Sequence, residues 1–356
     1  MEMSKSGAST KKDVWLYNNL DEVGRAAGSQ LDRSSQACMY DRLEWFELAA
    51  KYTLDGEPLI INAQQRNGQA WLFLDRDGPS AFALSNWYCL RYAPVTQGEV
   101  DDKLFESLVD GLLQANVTHV FIDPLGEKGP LASALSRKGW LVRFEQVNEC
   151  WWIDTRGMDF EDYWSRRPSR LRNTAKRKAK KAKLDIRIFD RFCDRAWNDL
   201  EAVFDASWKE PEGSAGLIRE IAQVEGAAGT LRVGLAYRDG IAVAAQIWTV
   251  ENGSATIHKL AYREDAQKLS AGTILSVEMF RNALDKDQVK KIDFGIGNDS
   301  YKREWMSDCE PLYAMTAYYP YRWSGIMGLV KVAWRKSLQR LGLRKLKVSL
   351  RDQPRR

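Results

Sequence analysis

The chain holds only two histidines, His119 and His258, so acid–base chemistry near neutral pH has few candidates. His258 lies in a β-prone run over residues 254–262. An ordinary imidazole value of about 6.5 suits a general base. Tyr301 and Lys302 follow a second short β-prone run over 291–294 and supply a phenol and an ammonium group. Between the two runs a polar loop ends in Ser270-Ala271-Gly272-Thr273, where a helical pattern begins. Backbone N–H groups at a helix N-terminus attract anions. Gly272 permits close approach, and Ser270 or Thr273 can add a hydroxyl donor, so the loop has the makings of a diphosphate site. No Ser/His/Asp or Cys/His constellation is present, and no covalent enzyme intermediate is expected. Cys38, Cys89, Cys150, Cys193 and Cys309 form no CxxC pair and have no ligand spacing with histidine, so no metal site is expected. Asp293-Phe294-Gly295 spells a kinase triplet, but the remaining kinase motifs are missing.

These residues need elements to position them. At 356 residues, with 44% apolar composition and 14 Trp, the chain has material for two cores. In the C-terminal half the spacing predicts helices over 195–209 and 215–224. Three strands follow over 231–237, 241–250 and 254–262, punctuated by Asp239-Gly240 and Asn252-Gly253. A helix over 273–284, a strand over 291–294, a short helix over 300–306 and a last strand over 312–319 complete the series. The N-terminal half repeats this order. Helices are expected over 20–31 and 43–52, and strands over 58–63, 69–74 and 80–85. A helix over 101–114, a strand over 117–122, a helix over 130–138 and a long strand over 140–153 complete that half. Two copies of one α/β unit, about 170 residues apart, account for the pattern.

The loop and the segment after it together resemble the GNAT acyltransferase superfamily, in the branch related to FemAB and CelD-type proteins. Gln267-Lys268-Leu269-Ser270-Ala271-Gly272 is similar to the family's Q-x-x-G-x-G/A loop, with Ser270 at the first glycine. Ser270-Ala271-Gly272-Thr273-Ile274-Leu275 resembles the branch's S-P-G-x-x-L, with Ala271 at the proline. Asp293-Phe294-Gly295-Ile296-Gly297-Asn298-Asp299-Ser300-Tyr301-Lys302 resembles its D-F-G-x-G-x-x-x-Y-K. The likeness runs from about Ser169 to Trp305, and Leu43-Glu44-Trp45-Phe46 is also typical of the branch. It implies an α/β fold of tandem GNAT-like domains, with mixed, mostly antiparallel sheets flanked by helices. The N-terminal copy has no recognisable phosphate loop between 85 and 101, so it reads as degenerate.

The expected division is a degenerate GNAT-like domain over 13–158, a basic helical connector over 159–185, the acyltransferase domain over 186–320 and a basic amphipathic tail over 321–356. The resemblance further implies acyl-CoA as co-substrate. Leu260, Tyr262, Gln267, Ser270, Ala271, Gly272 and Thr273 would contact it, His258, Tyr301 and Lys302 would be catalytic, and Trp208 and Asp293 would face the acceptor. That acceptor is expected to be a sugar, lipid or polysaccharide precursor attacking the thioester directly. The alternatives are an aminoacyl-tRNA donor, which the FemAB likeness implies, and a non-catalytic module that binds membrane or nucleic acid.

Charge is strongly segregated. Residues 166–183 hold ten Lys/Arg and no acid, and residues 321–356 hold eleven against Asp352, which leaves the remainder acidic. In the tail, Ile326, Leu329, Val330, Ala333, Trp334, Leu338 and Leu341 share a helical stripe that suits an anionic membrane surface. The first segment could equally meet tRNA phosphates. A polar N-terminus, no apolar run long enough to span a membrane and unpaired cysteines fit a cytoplasmic protein, peripheral on the membrane's inner face if the tail binds there.

Overall fold

The structure is a computed structural model that describes residues 13–209, 214–322 and 325. The basic tail, apart from its first residues, lies outside the described residues. The chain divides into two compact units, one formed by Met1–Gln146 with Tyr313–Arg356 and the other by Val147–Leu312.

The first unit runs β1 (Asp13–Tyr17), α1 (Leu20–Ala27), α2 (Leu43–Thr53), β2 (Glu57–Gln64), β3 (Gly68–Asp77), β4 (Ser80–Ala83), β5 (Val95–Gly98), α3 (Asp102–Gln114), β6 (His119–Leu125) and α4 (Pro130–Arg137). Strands β1 to β4 pair antiparallel in sequence order, and β4 then lies parallel to β6. The second unit begins within β7 (Leu141–Asp154) and continues with α5 (Phe160–Ser165), α6 (Ser169–Ala182), β8 (Asp185–Phe189), α7 (Asp194–Asp205) and α8 (Ala215–Ala227). Then come β9 (Leu231–Arg238), β10 (Ile241–Glu251), β11 (Ser254–Tyr262), α9 (Ala271–Arg281), β12 (Lys291–Ile296) and α10 (Lys302–Trp305), before the chain leaves the unit within β13 (Asp308–Tyr318). Strands β8 to β11 pair antiparallel, and β11 lies parallel to β12. The fold is thus tandem α/β, with mostly antiparallel pairing and one parallel pair in each unit.

Local chemistry explains the hairpins that the sequence marks. Asp239 and Gly240 have φ of 51° and 81°, and Asn252 and Gly253 have 49° and 74°. Two successive positive φ angles are what a tight two-residue turn between twisted strands requires. The expected helix over 195–209 stops at Asp205, which leaves Trp208 in the following turn. Strands β1, β5 and β8 were not expected from the pattern.

The two long-range closures also differ from the chain order. Residues 313–318 of β13, expected to finish the C-terminal domain, pair antiparallel with β6 of the first unit. Residues 150–154 of β7, expected to finish the N-terminal domain, pair antiparallel with β12 of the second. The basic stretch expected as a connector belongs to the second unit.

The second unit's core centres on Phe280, which is fully buried. Its ring stacks on Tyr163 at 5.1 Å and meets Trp305 at 5.0 Å and Trp248 edge-on at 5.2 Å. Phe280→Ala is expected to cost about 3–5 kcal/mol, because a large buried ring leaves a cavity that its neighbours cannot fill. Urea unfolding of the variant beside the parent checks this, and a change below about 1 kcal/mol would contradict the packing.

Candidate functional site

The parallel pairing of β11 with β12 lasts three rungs, from Ser254–Lys291 to Thr256–Asp293, although β11 continues to Tyr262 and β12 to Ile296. Past that point the two strands part, and their facing backbone groups need other partners. The parting coincides with an irregularity in β11. Lys259 pairs with Ile247 and Ile257 with Trp248, so His258 is an inserted bulge residue. Ala255, Ile257, Ile292 and Phe294 join the core with Leu275 and Phe280 of α9. Strand alternation then puts Thr256 and Asp293 on the opposite face. The bulge adds His258 and Lys259 to that face, where the Lys259 ammonium lies 4.4 Å from the Phe204 ring of α7.

His258 is half-buried, and its Nε2 is 2.9 Å from Thr249 Oγ1. Burial lowers its pKa to about 4, against upward pulls from Glu225 and Asp293. It is therefore neutral at rest, and a weaker base than an ordinary imidazole. Neither Thr249 nor the buried Glu225 of α8 stands in any motif of the sequence.

Beyond β11, α9 opens as the sequence suggests. A 3-10 turn over Glu264–Leu269 contains Gln267, whose carbonyl accepts from Ser270 N at 3.1 Å. Ser270 has φ 56° and ψ 39°, a left-handed conformation that favours glycine, which explains the family's glycine there. Among the described residues, no side chain caps α9. The amides of Ala271, Gly272 and Thr273 thus form a free helix N-terminus. Tyr262 lies over Gly272, with 3.1 Å from its Cδ1 to where a Cβ would stand. Trp208, half exposed, packs on Tyr262 at 4.2 Å, so the structure brings Trp208 close to the start of α9. Leu260 packs partly against the core beside α9. Lys178 of α6 donates to Lys268 O at 2.7 Å, a contact that sequence reading did not anticipate.

The segment after β12 is a single hydrogen-bonded unit. Asp293 Oδ1 accepts from Gly295 N at 2.8 Å and from the Cys150 thiol at 3.3 Å. Gly295 and Gly297 have φ of 70° and 136°. Lys302, 4% exposed, donates to Ile296 O at 2.6 Å, and a Cβ on Gly297 would stand 3.0 Å from its Nζ. Burial lowers Lys302 to about 8. Tyr301 packs edge-on against Phe294 at 5.7 Å and is 38% exposed. Burial, with help from Asp299, raises its phenol so that it stays protonated well above neutral pH. Cys150, 143 positions from Asp293 in sequence, carries no local signal.

The first unit repeats the geometry and closes it. Strands β4 and β6 also pair over three rungs, from Ser80–His119 to Phe82–Phe121. There the chain fills the gap itself. Ser85 Oγ donates to Asp123 O at 3.0 Å, and Tyr92 N donates to Pro124 O at 2.7 Å. Helix α3 has its N-terminus capped by Asp101, whose Oδ1 accepts from Leu104 N at 2.9 Å. A carboxylate already sits where an anion would bind.

Residues 166–303 match the family model described as the acetyltransferase (GNAT) domain. No curated protein matches the sequence. Among solved structures, the chain is similar to a C-terminal domain (DUF2156) assigned to a lysylphosphatidylglycerol synthetase of Agrobacterium fabrum, at 15% identity and a TM-score of 0.53, over 77% of this chain and 91% of that one. It is similar to L-PGS from Bacillus licheniformis at 13% identity and a TM-score of 0.52, over 82% and 95%. The FemX structure gives 9% identity and a TM-score of 0.53, over 78% and 95%. At such identities these likenesses concern the fold.

The pH dependence of stability follows from the buried groups. Lys302 in the folded state holds fewer protons than in the unfolded chain between about pH 8 and its ordinary value of 10.5. The Lys302 contribution to stability is therefore fully present above that window and is lost as pH falls through it, while raised phenols such as Tyr301 contribute in the opposite sense. The difference in denaturation midpoint between Lys302→Met and the parent should therefore change in the parent's favour as pH rises from about 8 to 10.5, and a difference that stays constant over that range would place the ammonium elsewhere.

The free helix N-terminus and the parted strand pair lie within residues 166–303, so the second unit contains the stretch that matches the acetyltransferase (GNAT) domain, in a chain whose fold is similar to that of FemX.

Proposed function

We propose that the second unit transfers an acyl group from coenzyme A to an amine or hydroxyl of a sugar, lipid or polysaccharide precursor. The observation that carries this reading is the uncapped N-terminus of α9 at the end of the parted strands β11 and β12. The amides of Ala271, Gly272 and Thr273 would hold the diphosphate, and Leu260, Tyr262 and Gln267 would flank it. Coenzyme A supplies the acyl group as a thioester, open to direct attack. N–H groups of β11 past the third rung would polarise its carbonyl.

On the opposite face, His258 would take the proton from the attacking amine or hydroxyl. Glu225 and Asp293 favour the imidazolium so formed. The Tyr301 hydroxyl would return a proton to the departing thiolate as the carbon–sulfur bond breaks. Trp208 would border the acceptor, Asp293 would steady the turn after β12, and Lys302 would hold that turn open rather than react.

Two measurements test the reading. Gly272→Asp puts a carboxylate among the three amides and should abolish coenzyme A binding in calorimetry, with an unchanged circular dichroism spectrum. Retained affinity would remove the donor assignment. If charged tRNA stabilises the parent against heat and acyl-CoAs do not, the aminoacyl-tRNA donor takes its place. At a hundredfold excess over Kd, the true donor should add about 2.7 kcal/mol.

With His258 near 4 and Tyr301 protonated, kcat/KM should hold level from about pH 5 to neutrality. An acid limb at about 6.5 would mean that His258 is not the base or is not buried during turnover.

A further inference from the structure

Helix α6 has no role in the transfer just described, yet it carries the densest charge among the described residues. Seven Lys/Arg lie on it and Lys183 caps it. None of the eight forms an ion pair among the described residues. Two of them border the buried stripe of Leu171, Ala175 and Ala182 and are tied to backbone. Arg172 Nε donates to Arg167 O at 3.1 Å, and Lys178 Nζ donates to Lys268 O at 2.7 Å. The 3.6-residue period sorts five of the other six into two adjacent rows, Arg170, Arg177 and Lys181 beside Lys176 and Lys180, with Lys183 following at the left-handed cap. All six are exposed.

We propose that this face of α6 docks the protein on an anionic lipid bilayer. Two parallel rows make a broad charged face, suited to a plane of headgroups. The helix exposes no aromatic side chain, whereas single-stranded nucleic acids are commonly held by bases stacked on aromatic rings. Its only large apolar side chain, Leu171, is buried, so contact is electrostatic and without insertion. Such contact is weak alone, and stable attachment takes a second signal. The sequence offers one in residues 321–356, with eleven Lys/Arg against one acid. Through the Lys178–Lys268 contact, α6 borders the loop that leads into α9, so docking would set the free helix N-terminus beside the membrane. The proposal does not depend on which donor that terminus binds.

The test uses the full chain in sedimentation with phosphatidylcholine vesicles, with and without phosphatidylglycerol, at low and physiological salt. Binding should need phosphatidylglycerol and weaken with salt. The quadruple variant Lys176→Gln, Arg177→Gln, Lys180→Gln, Lys181→Gln alters only exposed residues and should keep its circular dichroism spectrum. Each cation near the surface is worth about fivefold in partitioning. With incomplete engagement the variant should still lose at least tenfold. Partitioning at the parent's level would overturn the proposal, as would equal binding to neutral vesicles. Tighter, α6-dependent binding to a labelled RNA oligonucleotide than to vesicles would also overturn it and make this a nucleic-acid surface. Gly272→Asp should leave vesicle binding intact, which separates failure at the donor site from failure here.

Discussion

Three rungs of parallel pairing govern the second unit. A sheet that zipped β11 and β12 together to their ends would satisfy its own backbone and leave nothing for a ligand. Instead the bulge at His258 ends the match on one strand, and the turn held by Asp293 and Lys302 carries the other away. The same bulge sets His258 against Thr249, on the face where Lys259 meets Phe204 of α7, away from the core of Phe280 and Leu275. Backbone irregularity and side-chain placement are here one event.

The turn after β12 shows why a string of residues recurs as a motif. A buried ammonium is expensive unless its protons are occupied, and the carbonyl of Ile296 does this at 2.6 Å. Gly297 has no room for a side chain beside that ammonium and has a φ that other residues avoid. Asp293 fastens the first half of the turn through Gly295 N and reaches Cys150 on β7. The spacing of aspartate, glycines and lysine thus records one small structure. That structure explains Lys302 without requiring it to touch a substrate.

Much of this was legible before any coordinates. The hairpins at Asp239-Gly240 and Asn252-Gly253 follow from residues that tolerate positive φ, and the start of α9 follows from a run of small residues after a strand. Three kinds of feature were not legible. Strands β1, β5 and β8 are five residues or fewer and lack a period long enough to read. The partners of β7 and β13 depend on pairing across more than 130 residues, and no local pattern encodes that. The basicity of His258 depends on burial at a bulge, so the expectation of an ordinary imidazole did not hold. In the first unit, the missing phosphate loop could be seen, but its replacement by Asp101 and the segment from Ser85 to Tyr92 could not.

The pairing of β13 with β6 bears on how the protein is made. The second unit is continuous, from residue 147 to residue 312, and all of it has been synthesised before Tyr313 is added. The first unit has most of its chain within the first 146 residues but lacks a strand beside β6 until residues 313–318 emerge. On the ribosome the half that is translated first is therefore the half that finishes last. Until then β6 presents an unpaired edge, the kind of surface on which nascent chains associate wrongly.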